Sequence, residues 1–247
     1  MRVLGVETAT PLASSAVVDA SGVLAERVLR GPMRHLEWLA PAVDGMLRDA
    51  GLGPGDVEGI AVSVGPGGFT GLRIGIATAA AWARARRTPL VGVGTLEALA
   101  LAAGPRDAVL AALDAHRGEV AAALYRVPVA GEPEPLVPPT VAPPEAVAAE
   151  VLAALRGAAG SADPGPGRVL VVGDALSRYA QPLLGALDGR GVPGPPYVHP
   201  RAAVVAWLGR LRLIAGARDD PGVLLPVYGR RPALREWQES PAQPGNG

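Results

Sequence analysis

The sequence predicts an α/β protein made of two related halves, on three observations. Short apolar runs alternate with longer stretches that carry leucine, valine and alanine at helical spacing, the alternation that builds layered α/β domains. The order strand, strand, strand, helix, strand, helix, strand, helix fills about the first hundred residues, and a degraded copy follows it. Of 247 residues 49% are hydrophobic but only nine are aromatic, so the core is predicted to be Ala, Val and Leu, small enough for elements to pack closely.

Each element has its own signal. Met1 to Val6 is an apolar run ending at Glu7-Thr8, a buried strand entering a polar turn. Ser14 to Val18 and Val23 to Leu29 are β-rich runs joined by a turn at Ser21-Gly22. His35 to Ala50 sets Leu36, Leu39, Val43, Met46 and Leu47 at helical spacing with Gly51 as its stop, and Pro41 either kinks this helix or lies in its first turn. Val57 to Val64 is a strand, Gly65 to Gly71 a tight turn, Leu72 to Arg86 a helix, Leu90 to Val93 a strand and Thr95 to Ala102 a helix.

Gly104-Pro105 marks the boundary between a first domain, residues 1–104, and a smaller second one, residues 105–239. In the second, Ala108 to Leu113 and Glu119 to Tyr125 are paired strands on either side of Asp114 to Gly118. Pro128 to Pro144 is rich in proline and expected to be an irregular surface excursion. Glu145 to Leu155 is helical, Gly157 to Gly167 a flexible loop, and Arg168 to Val172 a strand. Ala175 to Leu187 and Ala202 to Ala217 are helices, the second expected to pack back on the first domain, and residues 240–247 form a disordered tail.

Composition removes several classes of chemistry. The 23 basic and 23 acidic residues balance, so no global field holds a nucleic acid; the clusters Arg84, Arg86, Arg87 and Arg230, Arg231 read as solvated ends of elements. The absence of cysteine excludes disulfides, thiolate nucleophiles and cysteine-ligated zinc, and it fits a reducing compartment. Every basic residue is arginine, which excludes Schiff-base catalysis and a Walker A lysine. The N-terminal apolar run is too short for a signal peptide, and no stretch approaches the roughly 20 apolar residues of a membrane span, so a cytoplasmic, non-membrane protein is expected. His35, His116 and His199 are scattered, with no metal site expected from them, and no Gly-x-Ser-x-Gly elbow exists.

Gly65 to Gly75 is the informative segment. Four glycines and a proline between a strand and a helix make a turn that needs positive φ or close backbone approach. Such a turn can present backbone N–H groups and a helix N-terminus to an anion, but it lacks the Gly-Lys-Ser/Thr ending and Thr70 stands where a dinucleotide pattern has its third glycine, so a tight strand-to-helix connection is favoured over a ligand cradle. Behind it Gly71, Gly75, Ala79 and Ala83 recur every fourth residue as a smooth stripe that lets another helix approach closely. Each glycine inside the helix costs about 1 kcal/mol relative to alanine, so a close partner is the natural compensation. The spacing leaves open whether that partner is internal or another chain.

Four blocks carry a family resemblance: Val3 to Thr10, His35 to Pro41, Gly65-Pro66-Gly67-Gly68-Phe69-Thr70-Gly71-Leu72-Arg73-Ile74-Gly75, and Gly92 to Ala100. Asp114 to Val120 and Pro226-Val227-Tyr228-x-Arg230 add weaker ones. Together they resemble TsaB (YeaZ), the bacterial tRNA threonylcarbamoyladenosine biosynthesis subunit, strongly over residues 1 to about 120. The resemblance implies an actin-like, Hsp70-like (ASKHA) fold of two related α/β domains with mixed sheets. It also implies a non-catalytic subunit that activates TsaD, the paralogue that threonylcarbamoylates the adenosine beside the tRNA anticodon. Binding would be helix against helix through the first domain, at His35, Leu36, Leu39, Val43 and the stripe Gly71, Gly75, Ala79, Ala83. On that view Gly75→Leu leaves the fold intact and abolishes partner binding.

The catalytic paralogue carries two histidines four residues apart on one helical face, able to hold a metal. In the matching frame here stand Thr95 and Leu99, and leucine cannot coordinate a metal. No cofactor is therefore expected. Residual ATP or ADP binding at a vestigial site of Glu7, Thr8, Thr10 and Asp114 stays as an alternative, since actin-like folds carry an acid at these loops. The wider complex would add a TsaE-like ATPase, tRNA would be met indirectly, and the stripe would invite a homodimer when the partner is absent. The rival class is a metal- or ATP-dependent peptidase or transferase.

Overall fold

The computed structural model describes residues 1–31, 35–158, 167–196 and 198–229, with only the helical backbone at 35, 36, 157 and 158. Two five-stranded mixed sheets share one topology. In the first, β1 (Val3–Glu7) is central, with the antiparallel strands β2 (Leu12–Asp19) and β3 (Gly22–Arg30) to one side. The parallel strands β4 (Gly59–Gly65) and β5 (Leu90–Gly94) lie on the other. In the second, β6 (Arg106–Asp114) is central, flanked by antiparallel β7 (Val120–Val127) and β8 (Glu134–Ala142) and by parallel β9 (Val169–Val172) and β10 (Gly191–Pro193). The orders β3-β2-β1-β4-β5 and β8-β7-β6-β9-β10 are therefore the same, and the two halves are related.

The crossover helices repeat too. In the first half α1 (His35–Asp49) and α2 (Phe69–Arg86) join β3, β4 and β5; in the second α4 (Pro144–Ala158) and α5 (Leu176–Gly185) join β8, β9 and β10. Strand alternation decides what each face meets. Leu4 and Val6 of β1, with Ile60 and Val62 of β4, pack under Leu39, Val43, Met46 and Leu47 of α1 and Ile76, Ala79 and Ala83 of α2. Leu110, Ala112, Leu124 and Val171 pack under α4 and α5.

The last helix of each half is exchanged. After β5 comes α3 (Thr95–Ala102), whose Leu96, Leu99 and Ala100 enter a core with Val109, Ala111, Leu113, Tyr125 and Val172 of the second sheet. After β10 comes α6 (Ala202–Ile214), which returns to the first sheet and packs Val205, Ala206 and Leu208 on Val3, Ala61 and Val91. A Cβ at Gly5 would lie 2.8 Å from the Ala206 Cβ, so β1 admits α6 only because it has no side chain there. The chain boundary at Gly104-Pro105 falls between α3 and β6, and α3 and α6 cross it in opposite directions.

One sequence expectation is corrected, and one strand is new. Pro128 to Pro144 is not an irregular excursion: Glu134–Ala142 forms β8, antiparallel to β7. Pro135, Pro138 and Pro139 are tolerated because β8 is an edge strand, where a missing N–H leaves no second neighbour unpaired. β10, three residues long, was not anticipated; its hydrophobic signal is too short to register. Smaller differences concern ends. α2 starts at Phe69 rather than Leu72, and α5 spans only Leu176–Gly185 with a non-helical Tyr179. The expected tail, Arg230 and Arg231, and most of the loop 157–167 lie outside the described residues.

After α6, residues 217–229 run back across the first sheet as a strap. The Asp219 N–H donates to the Leu90 carbonyl at 2.8 Å, the Gly92 N–H to the Asp219 carboxylate at 2.7 Å, and the Val227 N–H to the Val64 carbonyl at 2.6 Å. The strap thus covers the outer edge of β5 and ends beside the start of α2.

Candidate partner face and loop sites

The small-residue stripe faces inward. Gly71, Gly75, Ala79 and Ala83 are all buried within this chain, and a Cβ on Gly75 would collide with the Thr8 hydroxyl. Thr8 in turn donates its hydroxyl to the Gly71 carbonyl at 2.8 Å. The partner that the glycines admit is thus the chain's own β1 and its following turn. Leu39 and Val43 of α1 are buried in the same core. As an outward docking face, these six residues are corrected; the side chains of His35 and Leu36 lie outside the described residues. The expectation that Gly75→Leu leaves the fold intact falls with it.

The opposite side of α2 is the exposed one. Arg73, Ala77, Ala81 and Arg84 point outward at spacings of three or four residues. Between this face and the strap runs a groove of about 810 Å³, floored by Ala77, Ala80 and Ala81 and walled by Leu224, Leu225 and Tyr228. At its head Phe69 stacks on Tyr228 with centroids 5.2 Å apart. The Arg73 guanidinium lies 3.8 Å from the centre of the Phe69 ring and donates to the Tyr228 hydroxyl at 3.0 Å. Phe69 remains 52% exposed and Leu225 73% exposed, so this end of the molecule is apolar and open. Beside it the outer face of α1 shows Ala40, Pro41 and Asp44.

The glycines of the Gly65 turn serve close backbone approach. A Cβ on Gly67 would stand 2.5 Å from the Ala9 carbonyl oxygen, and the Gly68 N–H donates to that oxygen at 2.7 Å. Gly65 holds φ +117 where the Val227 carbonyl passes over it.

Glu7 and Asp114 end the central strands of the two sheets, equivalent places in the repeat. Their environments differ. Glu7 is fully buried; it accepts the Ala9 N–H at 2.6 Å and a short hydrogen bond from the Ser63 hydroxyl. Burial pushes its carboxyl up to about 7, against the opposing pull of these two donors. Thr10 closes on its own turn through the Leu12 carbonyl and N–H. Of the alternative vestigial nucleotide site, Glu7, Thr8 and Thr10 are thus buried, with polar atoms engaged inside the chain. Asp114 is more accessible. It accepts the His116 N–H at 2.7 Å, and Arg178 approaches it at 3.6 Å. Its neighbour Asp174 accepts the Asp114 N–H at 2.9 Å, and burial raises the Asp174 carboxyl above the usual carboxylate range.

Thr95 and Leu99 are both fully buried, Leu99 in the core between α3 and the second sheet. Among the described residues no group of three His, Cys, Asp or Glu side chains is arranged to hold a metal ion. Nor is any helix among them long and apolar enough to cross a membrane.

Sequence reasoning missed a charged cluster between the halves. Arg212 of α6 reaches Glu132, in the turn before β8, at 2.7 and 2.9 Å, pairs closely with Glu97 of α3, and donates to the Gly92 carbonyl at 3.1 Å. Burial raises the Glu97 carboxyl, with Arg212 pulling it back. Three residues so far apart in the chain carry no local signal.

Comparison with known proteins finds similar sequences and structures. The profile of the TsaD family, tRNA N6-adenosine threonylcarbamoyltransferase, matches residues 18–138. The TsaB tRNA threonylcarbamoyladenosine biosynthesis protein of Bacillus subtilis is 30% identical over 243 residues, 97% of this chain and 99% of that protein. Among solved structures, YeaZ from Pseudomonas aeruginosa superposes with a TM-score of 0.76 at 27% identity, covering 92% of this chain and 99% of its own. The ROK hexokinase of Thermus thermophilus, at 16% identity and a TM-score of 0.50 over 87% of this chain and all of its own, shares the fold alone.

Proposed function

The chain belongs to the TsaB (YeaZ) family, with an ASKHA-type fold and a part in tRNA threonylcarbamoyladenosine biosynthesis, and on that premise we propose that it is a non-catalytic subunit that binds and activates a TsaD-like catalytic paralogue. The observation that carries this reading is the burial of Thr95 and Leu99. At the two positions where the resemblance puts the paralogue's metal-holding histidines, this chain has side chains without metal affinity, packed where no substrate reaches. Glu7, Thr8 and Thr10 being turned inward supports the same view for nucleotide chemistry, so the subunit works without a cofactor of its own.

The docking face is the outer side of α2, not its inner stripe. Ala77 and Ala81 give the smooth approach that helix-on-helix packing needs, and Ala40 and Pro41 of α1 extend it. A TsaE-like ATPase joins the wider complex, and in the absence of the TsaD-like partner the same open face pairs two copies of the chain.

Ala77→Arg with Ala81→Arg tests the reading. Both positions are exposed, so thermal unfolding is expected to stay unchanged while affinity for the TsaD-like subunit falls by about 2 kcal/mol or more. Undiminished co-elution of this variant with the catalytic subunit would remove α2 from the interface.

A further inference from the structure

At the C-terminal end of α2 the chain concentrates positive charge. Arg84, Arg86 and Arg87 are all exposed, and among the described residues none of the three forms an ion pair. Other arginines behave differently: Arg2, Arg27, Arg201 and Arg212 each lie against a carboxylate. In a chain whose charges balance overall, such a cluster is a local feature rather than a reflection of composition.

Helix stability does not explain it. One cation in the last turn complements the helix dipole, but like charges three residues apart, Arg84 and Arg87, oppose each other. Arg87 also occupies the left-handed cap at φ 53, ψ 34, a conformation that favours glycine. The three side chains fan out around the end of α2, Arg84 beside Gly222 of the strap and Arg86 beside Gly55, where the fold gains little from the second and third.

The surroundings suit a phosphodiester strand. Beside Arg86 a shallow cleft of about 410 Å³ is lined by Thr88, Pro54 and Gly55, and the Arg86 guanidinium lies 5.9 Å from the Trp82 ring. Planar guanidinium forks bind phosphate oxygens in pairs, and a hydroxyl at the cleft floor adds a neutral contact. Arg84 shares the outer face of α2 with Ala77 and Ala81, so a strand held there would meet the margin of a bound catalytic subunit.

We propose that Arg84, Arg86 and Arg87 form a contact site for an RNA phosphate backbone, which brings the tRNA substrate directly against this subunit. The proposal rests on the placement of the chain in tRNA modification. It goes beyond that placement by giving this subunit a contact of its own with RNA.

The test uses the isolated full chain and an RNA hairpin of anticodon stem-loop size, with affinity measured from about 50 to about 200 mM salt. Replacing all three arginines by glutamine removes three phosphate contacts. The plot of log affinity against log salt is expected to flatten by about 2, so that the wild type loses about 20-fold more affinity than the variant over this range. A control variant, Arg106→Gln with Arg168→Gln and Arg190→Gln, makes the same charge change at exposed positions of the other half and is expected to keep the wild-type slope. Equal slopes for wild type and the α2 variant, equal effects of the two variants, or no salt-dependent binding by the wild type would each overturn the site. Loss of the TsaD-like subunit from the α2 variant with RNA binding unchanged would make the patch a protein contact instead. Because RNA binding is read without the partner, its failure is distinct from failure of the proposed complex.

Discussion

Glu7→Gln is the sharpest physical probe of the interior. The wild-type carboxyl ionises at 4.5 when exposed and at about 7 when folded. Below 4.5 both states are protonated and the group contributes no pH dependence. Between 4.5 and about 7 the unfolded chain releases its proton while the folded chain keeps it, so stability falls as pH rises. Each tenfold change in proton affinity is worth about 1.4 kcal/mol, which makes the whole loss about 3 kcal/mol. Above about 7 the penalty is constant. Glutamine keeps the geometry: its oxygen accepts the Ala9 N–H and its amide donates to the Ser63 hydroxyl, without a charge to bury. In thermal unfolding followed by circular dichroism, the variant should match the wild type at acid pH. Above pH 7 it should melt about 6 to 12 °C higher, at about 2 to 4 °C per kcal/mol for a chain of this size. Parallel melting curves for the two proteins across this range would refute a buried, proton-holding Glu7.

Two further outcomes follow from packing. Gly75→Leu should destabilise the protein by about 3 kcal/mol or more, because the side chain collides with Thr8 and breaks its bond to Gly71; this outweighs the roughly 1 kcal/mol of helix propensity gained. Soluble yield and a melting curve like those of the wild type would show that the stripe does not face β1. Arg212→Ala should cost about 2 kcal/mol, since it leaves Glu97 without its partner in a half-buried setting between the halves. Chemical denaturation reads this directly, and a change below about 0.5 kcal/mol would mark the cluster as surface decoration.

Much of the fold was legible along the chain because its signals are local. Glycines at Gly22, Gly51, Gly65 and Gly104 punctuate the elements where positive φ is needed, and all four adopt it. The order of strands and helices, and its repetition, follow from apolar runs too short to be anything but strands set between longer helical ones. The edge strand β8 escaped because proline is read as a breaker, and only a neighbour on one side shows that its missing donor does no harm.

The candidate site was legible in its residues and not in its orientation. The substitution of Thr95 and Leu99 for metal-holding side chains is a fact of the sequence, as is the smooth spacing of Gly71, Gly75, Ala79 and Ala83. Which way that stripe points was decided in three dimensions. On α2 small residues occupy both faces, Ala77 and Ala81 outside as well as Ala79 and Ala83 inside, so only Arg73 and Arg84 at the two ends of the outer face carry charge contrast, and the middle of the helix has none from which to set its phase. The collision of a Gly75 side chain with Thr8 sets it, through a contact 67 residues apart in the chain. The exchange of α3 and α6 between the sheets is of the same kind, because an apolar face records that it must be buried but not against what.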